Sequence, residues 1–349
     1  MDTTYDCLVL FSGGLDSLLA AKILQQQGLR VLGLHFTSPF FGSPEKTAQW
    51  REAYGLDILP VDIGETYTRM LLGGCRWGFG KGLNPCVDCK ILMLGQARAM
   101  LPSFGADFLV SGEVIGQRPM SQRKDTLGLI RKEAGVSDLL LRPLSAGRLP
   151  PTPMEASGRV DRTRLLSIRG RGRKSQLQLA EELGIEEVPT PAGGCLLTDP
   201  ESVRRFWPLF KHLHPPGTED FELSKVGRQF WWQGHWLVIG RNQADNEAML
   251  QRVCAGDIVF KLVDVPGPLA IGRQYRSPWA GEVVESAARF MLGFSPKARR
   301  SRGPVTVRVG SQERMEELRL SPEAGAEQPW EEPTWEAFDA EKREWITAS

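Results

Sequence analysis

The stretch FSGGLDS (residues 11–17) stands between two segments of different period. Before it, YDCLVLF (residues 5–11) is a continuous apolar run of strand length. After it, LDSLLAAKILQQQG (residues 15–28) repeats its apolar residues at helical spacing and stops at a glycine. The turn therefore joins the end of a buried strand to the start of a helix. Gly13 and Gly14 let the backbone come close to a ligand, and the amides of a turn and a helix start offer donors and a positive dipole end to phosphate. Ser12 and Ser17 add hydroxyls, and Asp16 can orient the loop or a Mg2+ ion. The Gly-Lys-Ser/Thr ending of a Walker loop is missing, as is the third glycine of the dinucleotide fingerprint.

Working outward, LRVLGLHF (29–36) reads as a second strand, PEKTAQWREAYG (44–55) as an amphipathic helix and LDILPVDI (56–63) as a third strand. A helix from about Cys89 to Met100 precedes a fourth strand, ADFLVSGEV (106–114). Strands and helices alternating at these lengths imply an α/β fold with a doubly wound parallel sheet. Residues 117–175 are irregular, KSQLQLAEELG (174–184) is a short helix, and the character changes after Pro215-Pro216-Gly217. The expected organisation is a catalytic domain over residues 1–215, a smaller α+β domain over 216–321 and a floppy acidic tail over 322–349.

The full Ser-Gly-Gly-x-Asp-Ser string after a first buried strand resembles the PP-loop of the ATP pyrophosphatase superfamily, an adenine-nucleotide α-hydrolase-like fold whose members adenylate a carbonyl oxygen and release pyrophosphate. The resemblance implies that Ser12, Gly13, Gly14, Asp16 and Ser17 hold the phosphates of ATP with Mg2+. It implies that His35 and Phe36, ending the second strand, hold the adenine, and that Gly112 meets the nucleotide.

Cys86 and Cys89 form the single Cys-x-x-Cys of the chain, in LNPCVDCK (83–90), and Cys195 stands in PAGGCLLTDP (191–200). Within the superfamily these positions resemble those of the tRNA thiolases, the 2-thiouridylase-like and 4-thiouridine-synthetase-like enzymes, over about residues 5–205. That resemblance implies ATP-dependent thiolation of a tRNA uridine. Adenylation turns the base oxygen into a leaving group, and the cysteines deliver sulfur. Two routes stay open: a [4Fe–4S] cluster held by Cys86, Cys89 and Cys195, or a persulfide released as a disulfide forms. The sulfur donor could be a desulfurase, sulfide or a carrier protein. Sulfur insertion into a small molecule, or RNA binding without catalysis, are the alternative functions. A structural zinc wants four ligands, and Cys7, Cys75, Cys254 and the 4 histidines offer no second paired knuckle. Cys7 reads as core, Cys75 is open, and Cys254 belongs to the C-terminal module.

The net charge of +1 hides segregation. From Arg142 to Lys174 there are nine Arg or Lys against two acids, and SPKARRSRGP (295–304) is a second basic cluster. Two such runs beside nucleotide chemistry point to a polyanion, here tRNA, with Arg169, Arg171, Arg173, Lys174, Arg241, Arg299 and Arg300 as candidate contacts. Residues 224–310 resemble the putative RNA-binding domain of the NFACT family through Gly240, Arg241, Asn242, Asn246, Asp257, Phe260, Pro266 and Gly267. Leu269 stands where that family often has His. No apolar run approaches a membrane span, six cysteines over 349 residues are too sparse for a disulfide framework, and a cytoplasmic setting is the expectation.

Overall fold

A computed structural model describes residues 4–189, 194–213, 215–275, 278–311, 314–322 and 329–348. It divides into two compact units, residues 1–199 and 200–349. The division falls after Asp199 rather than near 215, and the reason lies in the helix that follows. Pro200–His212 buries Val203, Phe206, Trp207, Leu209 and Phe210, and these pack within the second unit.

In the first unit the strands are β1 (Cys7–Leu10), β2 (Val31–Thr37), β3 (Asp57–Asp62), β4 (Phe108–Ser111) and β5 (Leu140–Leu141). They form a parallel sheet in the order β3-β2-β1-β4-β5. The helices are α1 (Leu15–Gln25), α2 (Thr47–Tyr54), α3 (Gly64–Leu72), α4 (Cys86–Met100), α5 (Lys124–Glu133), α6 (Pro153–Ala156) and α7 (Lys174–Glu182). β1 and β4 are fully buried four-residue strands, as continuous apolar runs covered on both faces should be. Strand order reverses between β1 and β4, and the carboxyl ends flanking such a switch point are where open α/β sheets bind ligands. The doubly wound fold expected from the sequence is borne out.

Two details differ from the expectation. Helix α4 starts at Cys86, three residues early, because Pro85 precedes it and the Asp88 carboxylate accepts from the backbone of Arg76 and Trp77 across its first turn. Residues 117–175 contain α5, whose buried face is Leu127 and Ile130.

The second unit holds α8 (Pro200–His212), α9 (Thr218–Ser224), α10 (Gln243–Leu250), α11 (Gly281–Leu292), α12 (Pro296–Arg299) and α13 (Trp335–Ala348). Its strands are β6 (Arg228–Trp232), β7 (His235–Ile239), β8 (Ile258–Leu262), β9 (Leu269–Arg273), β10 (Val305–Gly310) and β11 (Met315–Leu320), in one antiparallel sheet of order β11-β10-β8-β9-β7-β6. The β6–β7 hairpin turns at Gln233 and Gly234, both with positive φ (48° and 78°), the geometry of a tight turn that matches strand twist. An α+β module was expected here and is present.

The end of the chain, expected to be floppy, is folded where it is described; residues 323–328 lie outside the described residues. Trp330 is buried, Glu331 pairs with Trp231 through its backbone, and α13 packs on α8. Trp207 sets its ring edge-on to Phe338 at 5.4 Å and donates its indole N–H to Glu341 at 2.7 Å. Aromatic anchors thus override the acidic composition. Truncating the fully buried Phe338 (Phe338→Ala) should lower stability by about 3–5 kcal/mol, measured by denaturant unfolding. A loss below about 1 kcal/mol, the size of an ordinary surface change, would show the tail undocked.

Candidate active site

The turn after β1 is held by its own hydroxyls. Ser17 Oγ accepts from the Ser12 amide at 3.1 Å, donates to the Gly14 carbonyl at 2.8 Å and lies 3.2 Å from Ser12 Oγ. Gly13 has φ +77°, and a Cβ there would fall 2.6 Å from the Trp50 ring. Asp16 accepts from Gln117 Nε2 at 2.8 Å through one oxygen, while its other oxygen, Oδ1, is buried without a partner. An acceptor-only carboxylate oxygen beside a phosphate loop fits a Mg2+ ligand.

Gly112 plays a part beyond the one expected. A Cβ on it would lie 2.7 Å from Ser17 N and closer still to the Asp16 carbonyl, so it packs the exit of β4 onto the first turn of α1. His35 is similarly committed. Its Nδ1 bonds the Phe11 carbonyl at 3.0 Å and its Nε2 accepts from the Ser43 amide at 2.8 Å, which fixes the neutral tautomer. Burial lowers its pKa further. His35 and Phe36 therefore line the site as walls, with both ring nitrogens of the histidine used by backbone.

The three cysteines converge. Cys86 and Cys89 sit one turn apart on one face of α4, and the 194–199 segment is laid beside them by two backbone bonds, Leu83 N–H to Leu197 O and Leu196 N–H to Phe40 O, both 2.9 Å. A single cavity of about 280 Å3 is lined by Ser12, Asp16 and Ser17, by His35, Phe36 and Gly112, and by Cys86, Cys89 and Cys195. Sequence reasoning missed Lys90, Tyr67 and Arg118 in the same wall. Lys90 directly follows the cysteine pair and was legible as a charge next to a thiol; Tyr67 and Arg118 carried no such signal.

Burial pushes the Cys89 thiol up to about 11 and the Cys195 thiol up to about 12. Lys90 and the Tyr67 hydroxyl pull Cys89 back down, and Cys86 acts against its ionisation. Tyr67, fully buried, is itself raised well above the usual phenol range by burial and by Cys89 and Cys195. Cys75 has its Sγ 3.9 Å from the Met70 carbonyl and is pushed up to about 12 by burial, Asp88 and Cys89. Cys7 is fully buried in β1, and Cys254 lies in the second unit.

Among the described residues no three His, Cys, Asp or Glu side chains are close enough to grip one metal ion. A single zinc needs thiolates roughly 4 Å apart, given Zn–S bonds of about 2.3 Å. In an iron–sulfur cluster each thiolate meets a different iron, so the sulfurs stand farther apart. Cys86, Cys89 and Cys195 are of the donor type that such a cluster takes, and they line one cavity.

The basic run is mostly spoken for. Arg142 and Glu113 form an ion pair at 3.0 Å with side chains 4% and 3% exposed. Arg148 donates to Ser167 O, Arg159 pairs with Asp6, Arg162 with Glu155, and Arg164 donates to Gln26 O. In the second unit Arg241 is held by Asp245 at 2.6 Å, so this candidate RNA contact is engaged inside the fold. The other NFACT-like positions are also used internally. Asn242 caps α10, Asn246 accepts from the Leu269 amide at 3.0 Å, and buried Asp257 pairs with Arg273 at 3.1 Å. Lys297, Arg299, Arg300 and Arg302 are exposed.

No family model matches the chain. It is 30% identical over 128 residues to the tRNA-specific 2-thiouridylase MnmA of Petrotoga mobilis, covering 31% of this chain and 35% of that one. It is 31% identical over 125 residues to the enzyme of the same name from Nitratidesulfovibrio vulgaris, covering 31% and 34%. It is 29% identical over 147 residues to a probable tRNA sulfurtransferase of Thermococcus kodakarensis, covering 39% and 36%. Over these stretches the chain is similar to enzymes named for tRNA thiolation and sulfur transfer. The chain spans about a third of the length of the curated relatives it matches. Among the described residues no helix is long and apolar enough to cross a membrane.

Two outcomes test this site. Alkylation of Cys89 and Cys195 in the metal-free protein should speed up about tenfold per pH unit to near pH 11 and 12, because only the thiolate reacts. Levelling off near pH 9, as free cysteine does, would show the thiols to be unburied. Raised folded-state values also mean that the stability these thiols contribute is intact below about pH 8.5 and is lost as pH rises through 11 and 12. Gly112→Ala should lower stability by about 1–3 kcal/mol in denaturant unfolding, the cost of overpacking; an unchanged midpoint would show that β4 can shift away from α1.

Proposed function

We propose that the chain is an ATP-dependent sulfurtransferase, forming AMP and pyrophosphate, that thiolates a base of tRNA. The observation that carries this reading is the shared cavity, in which a PP-loop and three cysteine thiols face each other. Similarity to tRNA-thiolating enzymes supports it.

The reaction needs two displacements. The base carbonyl oxygen attacks the α-phosphorus of ATP, an O–P bond forms, the bond to the β-phosphate oxygen breaks and pyrophosphate leaves. Sulfur then attacks the same base carbon, the C–O bond breaks and AMP carries the oxygen away. Gly13 and the amides at the start of α1 offer donors to the phosphates, Ser12, Gly14 and Ser17 hold the turn in shape, and Asp16 presents its free oxygen to Mg2+. His35 and Phe36 shape the adenine end, and Gly112 holds the two loops together.

Cys86, Cys89 and Cys195 handle sulfur. Held by these three thiolates, a [4Fe–4S] cluster would supply an iron free to bind sulfide. In the persulfide route the terminal sulfur of one cysteine attacks the base carbon. A second thiolate then attacks the sulfur left on the protein, so two thiols are oxidised to a disulfide as the transferred sulfur is reduced. Lys90 favours the thiolate of Cys89 in either case. The exposed cations Lys297, Arg299, Arg300 and Arg302 of the second unit are the proposed RNA contacts.

The test is mass spectrometry of nucleosides from unmodified tRNA incubated with protein, Mg2+-ATP and a sulfur source. Thionucleoside should appear with AMP and pyrophosphate. Asp16→Ala should lose both products, and Cys195→Ala should release pyrophosphate without thionucleoside. Formation of ADP and phosphate would sink the adenylation mechanism. Separately, tRNA affinity should fall with salt at a log–log slope of roughly −0.7 to −0.9 per phosphate contact. Replacing Arg299 and Arg300 by Ala should flatten that slope by about two contacts' worth. An unchanged slope would take the RNA contact away from this patch.

A further inference from the structure

A second cavity of the first unit, about 130 Å3 in volume, lies against α5, and none of its lining residues lines the cavity that holds the thiols. Its apolar walls are Leu127 of α5, Leu140 and Leu141 of β5, and Ala146, Leu149 and Pro150 on the way to α6. An apolar protein cavity of roughly 150 Å3 takes a benzene ring, so a ring or a branched chain sets the scale of what fits.

The opening runs along one face of α5. Lys124, Leu127, Gly128 and Arg131 line the cavity at three- and four-residue spacing. Gly128 stands mid-helix, where glycine is the least favourable residue after proline. Neither a positive φ nor close packing calls for it, since a Cβ there would meet nothing within 4 Å. What the missing side chain leaves is an open mouth.

Charge around this cavity is one-sided. Glu155 has both oxygens taken, one by Arg162 and the other by the amide and hydroxyl of Thr152 at 2.7 Å. The cations are less committed. Arg142, 4% exposed, gives Nε to Glu113 at 3.0 Å and Nη2 to the Leu127 carbonyl at 3.3 Å. Its Nη1 has no partner among the described residues, and neither do the side chains of Lys124 and Arg131. Buried polar groups without partners are rare, and such a group marks where a ligand or water belongs.

We infer that this cavity is a binding site for a small carboxylate with an aromatic or branched apolar body. The body lies against the leucines, and the carboxylate faces Lys124, Arg131 and the free nitrogen of Arg142. A planar, singly charged carboxylate matches a guanidinium fork, whereas the Glu155 charge in the same wall disfavours a dianion such as a phosphate ester. The assignment is independent of the ATP and sulfur chemistry proposed above. The buried Arg142–Glu113 pair stands between the two sites, with Arg142 in one wall and Glu113 in the other.

Ligand-detected NMR titration of the full chain with benzoate, and with benzamide as its uncharged isostere, tests the site. Benzoate should saturate one site and bind at least about tenfold more tightly than benzamide, the size of one charge-assisted contact. Gly128→Leu places a side chain in the mouth and should weaken both ligands by about tenfold or more. Because the space is open and leucine favours a helix, its melting temperature should be kept or raised. Lys124→Gln combined with Arg131→Gln should weaken benzoate by about fivefold and leave benzamide within about twofold, as exposed rim charges do. Benzoate that fails to saturate below about 10 mM, or that binds Gly128→Leu as well as the parent, would overturn the site. Equal affinity for benzoate and benzamide would remove the anion requirement, and inorganic phosphate competing as well as benzoate would remove the apolar one; either overturns the assignment. Competitive displacement of benzoate by Mg2+-ATP would place it in the other cavity, with the same consequence.

Discussion

The exit of β4 rests on the backbone of the first turn of α1, and only a residue without a side chain permits that approach. Gly112 is that residue. The approach joins the two loops on either side of the strand switch, so the cavity has one continuous wall from Ser12 to Arg118 instead of two separate rims. Gln117 then reaches Asp16, and the buried Ser145 hydroxyl ties Ile115 to Ile168. Phosphate loop, β4 exit and the basic segment are positioned by this one contact and the short bonds that follow from it. The thiols enter from the other side, on the first turn of α4 and on a segment fastened to Leu83 and Phe40.

For two of the three thiols around the cavity, desolvation has an electrostatic consequence. It opposes the thiolates of Cys89 and Cys195, and neighbouring cysteines add to it, against which Lys90 supplies limited compensation at Cys89. These two thiols are therefore neutral in the resting form at ordinary pH. Two events remove the cost of ionisation: coordination to a metal, and conversion of two thiols into a neutral disulfide.

What was legible in the sequence is what local pattern specifies. β1, the Ser-Gly-Gly turn and α1 stand out because period and glycine placement change within a few residues. Helix α5 did not, since its short apolar stripe, Leu127 and Ile130, sits inside a long stretch otherwise made of turns and short segments. The meeting of Cys195 with Cys86 is long-range, made by backbone bonds between segments over a hundred residues apart, and came from a family resemblance rather than from spacing. At the other end of the chain, composition misled. An acidic stretch with Trp330, Trp335 and Phe338 is acidic outside and aromatic inside, and the aromatic rings decide that it folds.

Charge is where counting residues and reading contacts differ most. The run from 142 to 174 looks uniformly basic, yet its arginines do opposite things. Arg142 is sealed against Glu113, a pair whose broken half would leave a buried charge at a cost of about 3–5 kcal/mol. Arg162 and Arg164 spend their donors on backbone carbonyls, and so stiffen the irregular stretch that carries the chain from β5 to α7. The charge available to a ligand is what remains after this internal pairing. The same subtraction applies in the second unit. The residues that resemble an RNA-binding family cap helices and satisfy strand ends, while Lys297, Arg299, Arg300 and Arg302, outside that pattern, stay exposed. The motif residues hold the sheet of this unit together, and Lys297, Arg299, Arg300 and Arg302 take no part in that.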